Sequence, residues 1–163
     1  MKTSEMFLAE MKKEAANTRK LLALVPFEKG DYKPHEKSMP LLKLATHVAE
    51  ITGWWKETLK TDELDFAKGG GTPNVYNSTE DILAKHDDLV AKAEVILSEI
   101  QEEEFDKNWT MRNGDYIILT APKREVARTW CLNHLYHHRA QLSVYLRLLD
   151  IPIPGMYGPS ADM

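Results

Sequence analysis

The sequence predicts an all-α fold, a four-helix bundle with one small β-hairpin before the last helix. Three observations lead to this prediction: four long amphipathic stretches, short connections marked by proline and glycine, and one segment with the pattern of a hairpin. With 163 residues, 43% of them hydrophobic and 28% charged, the chain is long enough to bury the core of one domain. We therefore treat residues 1–163 as a single domain.

The first two helices are predicted from apolar residues that recur every three or four positions. The first covers about residues 4–24, and Pro26 ends it because proline cannot donate the next helical hydrogen bond. The second begins near Ser38, a plausible N-cap, with Pro40 in its first turn, and it continues to about Leu59. The glycine-rich residues 69–73 then form a flexible crossover.

The third helix is predicted to begin at Asn77, where Glu80 three residues later has the spacing of a capping box, and to end near residue 100. The pair Asn113-Gly114, with apolar residues alternating on both sides, predicts a hairpin between about residues 108 and 119. The fourth helix is predicted over about residues 120–149, with Pro122 in its first turn.

Composition and charge narrow the function classes. The net charge is −4 and the pI is about 5.9. The chain therefore lacks the excess of basic residues that is typical of proteins that bind nucleic acids. No apolar run is long enough to cross a membrane, and the start of the chain is charged throughout, so we expect neither a membrane span nor a signal peptide. The single cysteine, Cys131, cannot form an internal disulfide, and we expect a cytoplasmic protein.

Two histidines of the fourth helix suggest a metal site. His134 and His138 stand one turn apart on one face, and neighbouring apolar residues direct that face toward the interior. His47, at the border of the apolar stripe of the second helix, is the natural third ligand from across the core. Three neutral imidazoles suit zinc, nickel or iron and leave a coordination position open for water or substrate.

Other residues near this face are expected to have supporting or structural roles. His86, on the inner face of the third helix, either contacts the metal, supports the ligands or is a hydrogen-bonded core residue. Gln141 and Tyr145 are expected to support the ligands or position a substrate. Cys131 is expected to be a small buried hydrophobe, and His137 a flanking residue with local hydrogen bonds. We assign no residue a direct catalytic role.

Charged residues and missing motifs add further constraints. Arg139 is expected to leave the inner face and form an ion pair at the surface or with a second copy. A di-iron carboxylate bundle needs Glu-x-x-His on two helices, and a zinc protease of the common type needs His-Glu-x-x-His. The sequence contains neither motif.

The run His-Leu-Tyr-His-His-Arg-Ala-Gln-Leu at residues 134–142 and the tail Ile-Pro-Ile-Pro-Gly-Met-Tyr-Gly-Pro-Ser at 151–160 resemble the DinB-like (damage-inducible, YfiT-like) metalloenzyme family. His47, within Leu-Ala-Thr-His-Val-Ala-Glu-Ile, matches the ligand histidine of the family's second helix. The resemblance implies metal binding by His47, His134 and His138. It also implies an up-down-down-up order of helices, a long link after the second helix, and a homodimer, but no binding to DNA.

The resemblance implies a small-molecule substrate, and its characterised relatives favour a thiol-dependent S-transferase that uses a low-molecular-weight thiol. Two alternatives stay open: a metal-dependent hydrolase, for which Glu50 is the only candidate base, and a non-catalytic metal-binding protein of the stress response. Aromatic residues that one small bundle must bury or share, Trp54, Trp55 and Tyr136, add an argument for the dimer. The tail from Ile151 onward is expected to pack along the bundle in at least its first half.

Overall fold

The structure is a computed structural model that describes residues 2–69 and 74–162. Its helices are α1 (Thr3–Leu22), α2 (Leu41–Glu50), α3 (Trp54–Lys60), α4 (Thr79–Glu99), α5 (Lys123–Val126) and α6 (His134–Leu148). Its strands are β1 (Glu63–Asp65), β2 (Asn108–Asn113) and β3 (Tyr116–Pro122). The mainly helical fold is confirmed, while the up-down-down-up order of the helices stays a prediction. Most of the predicted glycine-rich crossover lies outside the described residues.

The second predicted helix is two helices joined by a tighter turn. It begins at Leu41, three residues later than predicted, because Pro40 has an extended conformation (ψ 149°) and precedes the helix. A 3₁₀ turn over Ile51–Gly53 separates α2 from α3. The β-branched Ile51 and Thr52 followed by glycine have weak helix propensity, which accounts for the break at this point.

The N-terminus of α4 is capped one residue later than predicted. Ser78, and not Asn77, is the N-cap, and its hydroxyl accepts a hydrogen bond from the Asp81 amide at 3.1 Å. The Asp81 carboxylate in turn accepts from the Asn77 amide at 2.9 Å. Serine and aspartate therefore cap the helix in place of the predicted pair, but the carboxylate bonds to the amide before the N-cap and not to the N-cap amide that a capping box uses.

The predicted hairpin is part of a three-stranded sheet, so the prediction of a hairpin alone is wrong. β2 and β3 pair antiparallel around Gly114, whose φ of +61° suits glycine, and β1 pairs parallel with β2 at the edge. The Asp65 carboxylate accepts from the Gly114 amide at 2.9 Å and ties β1 to the turn. Thr120 pairs with Thr110 in the sheet, so the last helix begins at Lys123 and not at Thr120.

The last helical segment changes its winding partway along. After α5, residues Ala127–Asn133 form a π-helix, and α6 then continues to Leu148.

Helices α1, α2, α4 and α6 contribute to one hydrophobic core cluster, and a second cluster brings together α1, α3, α4 and the π-helix. Within the described ranges no helix is long and apolar enough to cross a membrane.

Arg139 is buried, which overturns the prediction that it lies at the surface. Its side chain pairs with Glu14 of α1 at 2.6 Å, and the side chains of both residues are no more than 5% exposed. The guanidinium also donates to the Glu14 carbonyl at 3.0 Å and to the Thr18 hydroxyl at 3.1 Å. The prediction failed because the partner is 125 residues away in sequence, so no local pattern on α6 reveals it.

The tail is ordered against the helices, as predicted for its first half. Ile151, Ile153 and Met156 pack on the core, and the Tyr157 hydroxyl lies between Glu14 and Arg139, donating to the carboxylate at 2.6 Å. Further along, Asp162 accepts hydrogen bonds from Arg147 at 2.6 and 2.8 Å and from the Ile153 amide at 2.9 Å. These bonds hold the end of the tail against the last turn of α6.

Removal of residues 156–163 is expected to destabilise the protein, because the buried Arg139–Glu14 pair then loses the tyrosine hydroxyl that it shares. Hydrogen bonds to charged groups contribute about 1–3 kcal/mol, and the exposure of Tyr157 places the loss toward the lower end. Urea denaturation measures the free energy of unfolding. Tyr157→Phe, which keeps the tail, should reproduce part of the loss. An unchanged midpoint in both variants would mean that the tail contributes nothing.

Candidate metal centre

Three histidine side chains converge between α2 and α6. His47 lies in the last turn of α2, and His134 and His138 are one turn apart at the start of α6. One ring nitrogen from each lies within 4.8 Å of those of the other two, and in the part of the chain that the structure describes this is the only such group of three or more histidine, cysteine or acidic residues. The structure therefore brings together the three residues predicted as metal ligands.

The distances suit a transition-metal ion. The Nε2 atoms of His47 and His134 are 3.1 Å apart, and the centroids of the three rings are 4.5 to 5.0 Å from one another. Two nitrogens bound tetrahedrally at the usual Zn–N distance are separated by about 3.3 Å. No carboxylate or thiolate belongs to the group, so all three candidate ligands are neutral imidazoles.

The backbone before His134 contributes to the arrangement. His134 is the first residue of α6 after the π-helix, and π-helical turns are frequent at functional sites. The indole of Trp130, in that π-helix, lies against the His134 ring with the centroids 5.5 Å apart. Regular α-helical spacing from His134 onward then places His138 on the same face, as the sequence predicts, and the two rings meet edge-on.

Burial keeps the three imidazoles neutral. It is the main cause of a lowered pKa in each, and it acts together with the charges of the neighbouring histidines. The effect is largest for His134, whose pKa falls to about 4, although the Trp130 carbonyl opposes the shift. The Nδ1 atom of His134 is buried without a well-formed hydrogen bond. Neutral imidazole is the form that binds a metal ion.

The metal-free protein is expected to lose stability as the pH falls from about 6.5 to about 4. In the unfolded chain these histidines bind protons near pH 6.5, whereas folded His134 stays neutral until about pH 4. Over this interval the unfolded state binds more protons, so the free energy of unfolding decreases with falling pH. Thermal denaturation of the metal-free protein measures this slope. His134→Gln should have a shallower slope, and equal slopes would contradict the lowered pKa.

Gln141 lies beside the cluster, where its side chain bridges two histidines. Its Oε1 is 2.8 Å from Nδ1 of His138, and its Nε2 is 3.1 Å from Nε2 of His137. The other ring nitrogen of His138, Nε2, is therefore available to bind a metal ion together with His47 and His134. Position 141 was predicted from its place one turn beyond the pair, whereas the contact with His137 was not expected.

The structure does not bring His86 and Tyr145 to the cluster. The buried His86 ring lies 3.2 Å from the Ala15 carbonyl and 3.5 Å from the Ala49 carbonyl, so it bonds to α1 and α2, which agrees with the alternative of a hydrogen-bonded core residue. The Tyr145 hydroxyl donates to the Met39 carbonyl at 3.1 Å. Cys131 is buried, as expected, with its sulfur 3.9 Å from the Thr58 hydroxyl, and burial raises the pKa of its thiol.

The indole rings of Trp54 and Trp130 form an apolar surface next to His134, here called the Trp54–Trp130 wall, which was not predicted. Trp54 and Trp130 stack with centroids 5.4 Å apart and an angle of 22° between their planes, and Trp109 meets Trp54 edge-on. Both Trp54 and Trp130 are partly exposed and both contact the His134 ring. The two side chains come from α3 and the π-helix, so no periodicity within one helix relates them.

Glu50, one turn after His47, is held by two residues that follow the crossover. Its Oε1 atom accepts hydrogen bonds from the Tyr76 hydroxyl at 2.6 Å and from the Asn74 amide at 2.7 Å. Its negative charge partly offsets the lowering of the His47 pKa that burial causes. Partial burial, together with the hydrogen bond to Glu50, raises the pKa of Tyr76 far above its ordinary value.

Comparisons with known proteins identify the family of the chain and the likeness of its fold. The sequence model of the DinB family matches residues 1–162. Among solved structures, a DinB-like protein (YjoA) from Bacillus subtilis superposes with a TM-score of 0.72 over 93% of this chain and 97% of that one. The two sequences are 19% identical, so this likeness concerns the fold alone. No curated protein matches the chain in sequence.

Proposed function

Since the chain belongs to the DinB family, we propose that it is a metal-dependent enzyme that holds one divalent ion with His47, His134 and His138. The observation that carries this proposal is the convergence of three partly buried, neutral imidazoles. Nitrogen ligands favour zinc, nickel or iron over calcium and magnesium, which prefer oxygen.

The neutral ligand set favours an anionic substrate group on the ion. Three imidazoles leave the double positive charge uncompensated, and when bound the ion lowers the pKa of a thiol or water molecule at its open position. Gln141 orients His138, and the Trp54–Trp130 wall supplies an apolar surface beside His134. The chain itself would thus hold the ligands in place and exclude water from one side of the reacting group.

The reaction that we propose is the transfer of a low-molecular-weight thiol to a small electrophile. The only cysteine of the chain is buried and its pKa is raised, so Cys131 is a poor nucleophile. The thiol must then come from solution. The buried cysteine thus favours a thiol-dependent S-transferase over an enzyme that forms a covalent intermediate on its own cysteine.

A metal-dependent hydrolase is the second candidate, and Glu50 is the observation that favours it. The bonds from Tyr76 and Asn74 both reach Oε1, and neither uses the other carboxylate oxygen. A carboxylate held in this way near His47 is suited to accept a proton from an attacking water molecule. Under this alternative Glu50 would be the general base.

The test begins with metal analysis of protein purified without an affinity tag, followed by two assay panels. Thiol-dependent conjugation that requires the metal and His134 would support the S-transferase. Ester or amide hydrolysis that Glu50→Gln abolishes would support the hydrolase instead. Metal without turnover in either panel would leave a non-catalytic metal-binding protein of the stress response. Absence of bound metal after incubation with zinc, nickel or iron would overturn the proposal.

We also propose that the protein is a cytoplasmic homodimer that acts on a small molecule. Family membership is the only support for the dimer. The three aromatic side chains that the sequence offered as a further argument find contacts within one chain. Trp55 is 1% exposed, Trp54 stacks on Trp130, and the Tyr136 hydroxyl donates to Glu10. Light scattering at micromolar concentration distinguishes dimer from monomer.

A further inference from the structure

Two hydrogen bonds connect an exposed histidine with a candidate metal ligand. His137 is exposed, Gln141 and His138 are partly buried, and all three lie within two turns of α6. The Gln141 amide spans the two rings: its nitrogen is 3.1 Å from His137 Nε2, and its oxygen is 2.8 Å from His138 Nδ1. Each imidazole thus contacts a different end of one amide group.

The polarity of the amide determines which nitrogen of each ring carries the proton. The amide oxygen only accepts, so His138 must donate from Nδ1 and therefore has a free electron pair on Nε2. The amide nitrogen only donates, so His137 must accept at Nε2. The three groups are consistent with one another in this arrangement, and no polar atom among these contacts lacks a suitable partner.

Rotation of the amide by half a turn reverses every role. Its nitrogen would then donate to Nδ1 of His138, which would move the proton of that ring to Nε2. A protonated Nε2 has no electron pair for a metal ion. The reversed arrangement would also require His137 to donate from Nε2, so the tautomers of the two rings change together.

We propose that Gln141 is a positioning residue that holds His138 in its metal-binding tautomer, and that His137 keeps the Gln141 amide in the required orientation. The metal-binding part of this inference rests on the proposed function. The tautomer part does not, because it follows from hydrogen bonds that the metal-free protein makes. Each part therefore has its own experiment.

The tautomer is measured on the metal-free, full-length protein with ¹⁵N-labelled histidine by long-range ¹H–¹⁵N NMR at pH 7.5 or above. We expect the wild type to carry the His138 proton on Nδ1. Gln141→Leu removes the acceptor and should shift the proton toward Nε2, whereas Gln141→Glu, which accepts only, should retain it on Nδ1. A wild-type His138 that is protonated on Nε2 would overturn the inference, whether or not the protein binds metal.

Zinc affinity tests the consequence for the site. Gln141→Leu should weaken binding by about 10- to 100-fold, the range found when partners of ligand histidines are removed, while Gln141→Glu should stay close to the wild type. Ser143→Ala, which removes a side-chain bond to the Ala140 carbonyl on the same helix, is the matched control and should change nothing. Equal affinities for the wild type and Gln141→Leu would contradict a positioning role.

The role of His137 is tested with a double-mutant cycle. His137→Ala should weaken zinc binding several-fold in the wild type, because the amide is then free to rotate. The same substitution should have less effect with Glu at 141, since a carboxylate has no donor end to misplace. An identical loss in both backgrounds would show that His137 acts independently of Gln141. Failure of the wild type to bind zinc would refute the proposed function and leave the NMR result to decide the tautomer.

Discussion

Replacement of His134 by alanine is expected to abolish tight metal binding. The substitution removes an imidazole whose Nε2 lies 3.1 Å from the Nε2 of His47 and whose ring meets that of His138 edge-on. Loss of a partner of a ligand already costs about 10- to 100-fold in affinity, so loss of the ligand should cost at least a hundredfold, or about 2.7 kcal/mol. Isothermal titration with zinc, or competition with a coloured chelator, measures the change.

The matched control for this experiment is His35→Ala. His35 is exposed, its Nδ1 accepts a hydrogen bond from the Lys37 amide at 3.1 Å, and it does not belong to the group of three histidines. This variant should bind zinc with unchanged stoichiometry and affinity. Zinc should also raise the melting temperature of the wild type and of His35→Ala but not of His134→Ala. Equal binding by all three proteins would exclude the histidine cluster as the metal site.

Replacement of Glu14 by alanine is expected to destabilise the protein by about 3–5 kcal/mol, because it leaves the Arg139 guanidinium buried without its counter-charge. The hydroxyls of Thr18 and Tyr157 would still contact the guanidinium, but neither carries a negative charge. Urea denaturation measures the free energy of unfolding. If the single variant does not fold, the double variant Glu14→Leu with Arg139→Met removes both charges and should recover much of the stability.

An exposed ion pair on the same helix provides the comparison. Arg19 of α1 pairs with Asp87 of α4 at 2.9 Å, and both side chains are about half exposed. Asp87→Ala should therefore cost no more than about 1 kcal/mol, because solvent already screens the two charges. If Glu14→Ala were no more harmful than Asp87→Ala, the burial of the Arg139–Glu14 pair would not matter for stability.

Short-range patterns account for the parts of the fold that were predicted closely. The spacing of His134 and His138 depends only on helix geometry, and the pair Asn113-Gly114 between alternating apolar residues indicates the turn between β2 and β3. Helix ends were displaced by one to three residues, because the choice between Asn77 and Ser78 as N-cap depends on which side chain reaches a free amide.

Long-range pairings account for what was missed or wrong. The three residues of β1 carry no strand pattern of their own and pair with β2 more than forty residues later. The contacts of Glu50 with Asn74 and Tyr76 likewise depend on where the chain returns after the crossover. Pairing across such distances depends on how whole elements pack together, and the periodicity of one segment gives no information about that packing.

By itself the sequence determined the helical fold class, the turn at Gly114 and the shared face of His134 and His138, because each follows from local backbone geometry. His47 was the natural third ligand from its place at the border of the second helix's apolar stripe, and the resemblance to a family implied the same residue. Only the tertiary structure decided that Arg139 is buried against Glu14, that the indoles of Trp54 and Trp130 meet beside His134, and that β1 joins the sheet. The physical reason is that the burial of a charge or a ring depends on a partner from another element, and only packing brings the two together.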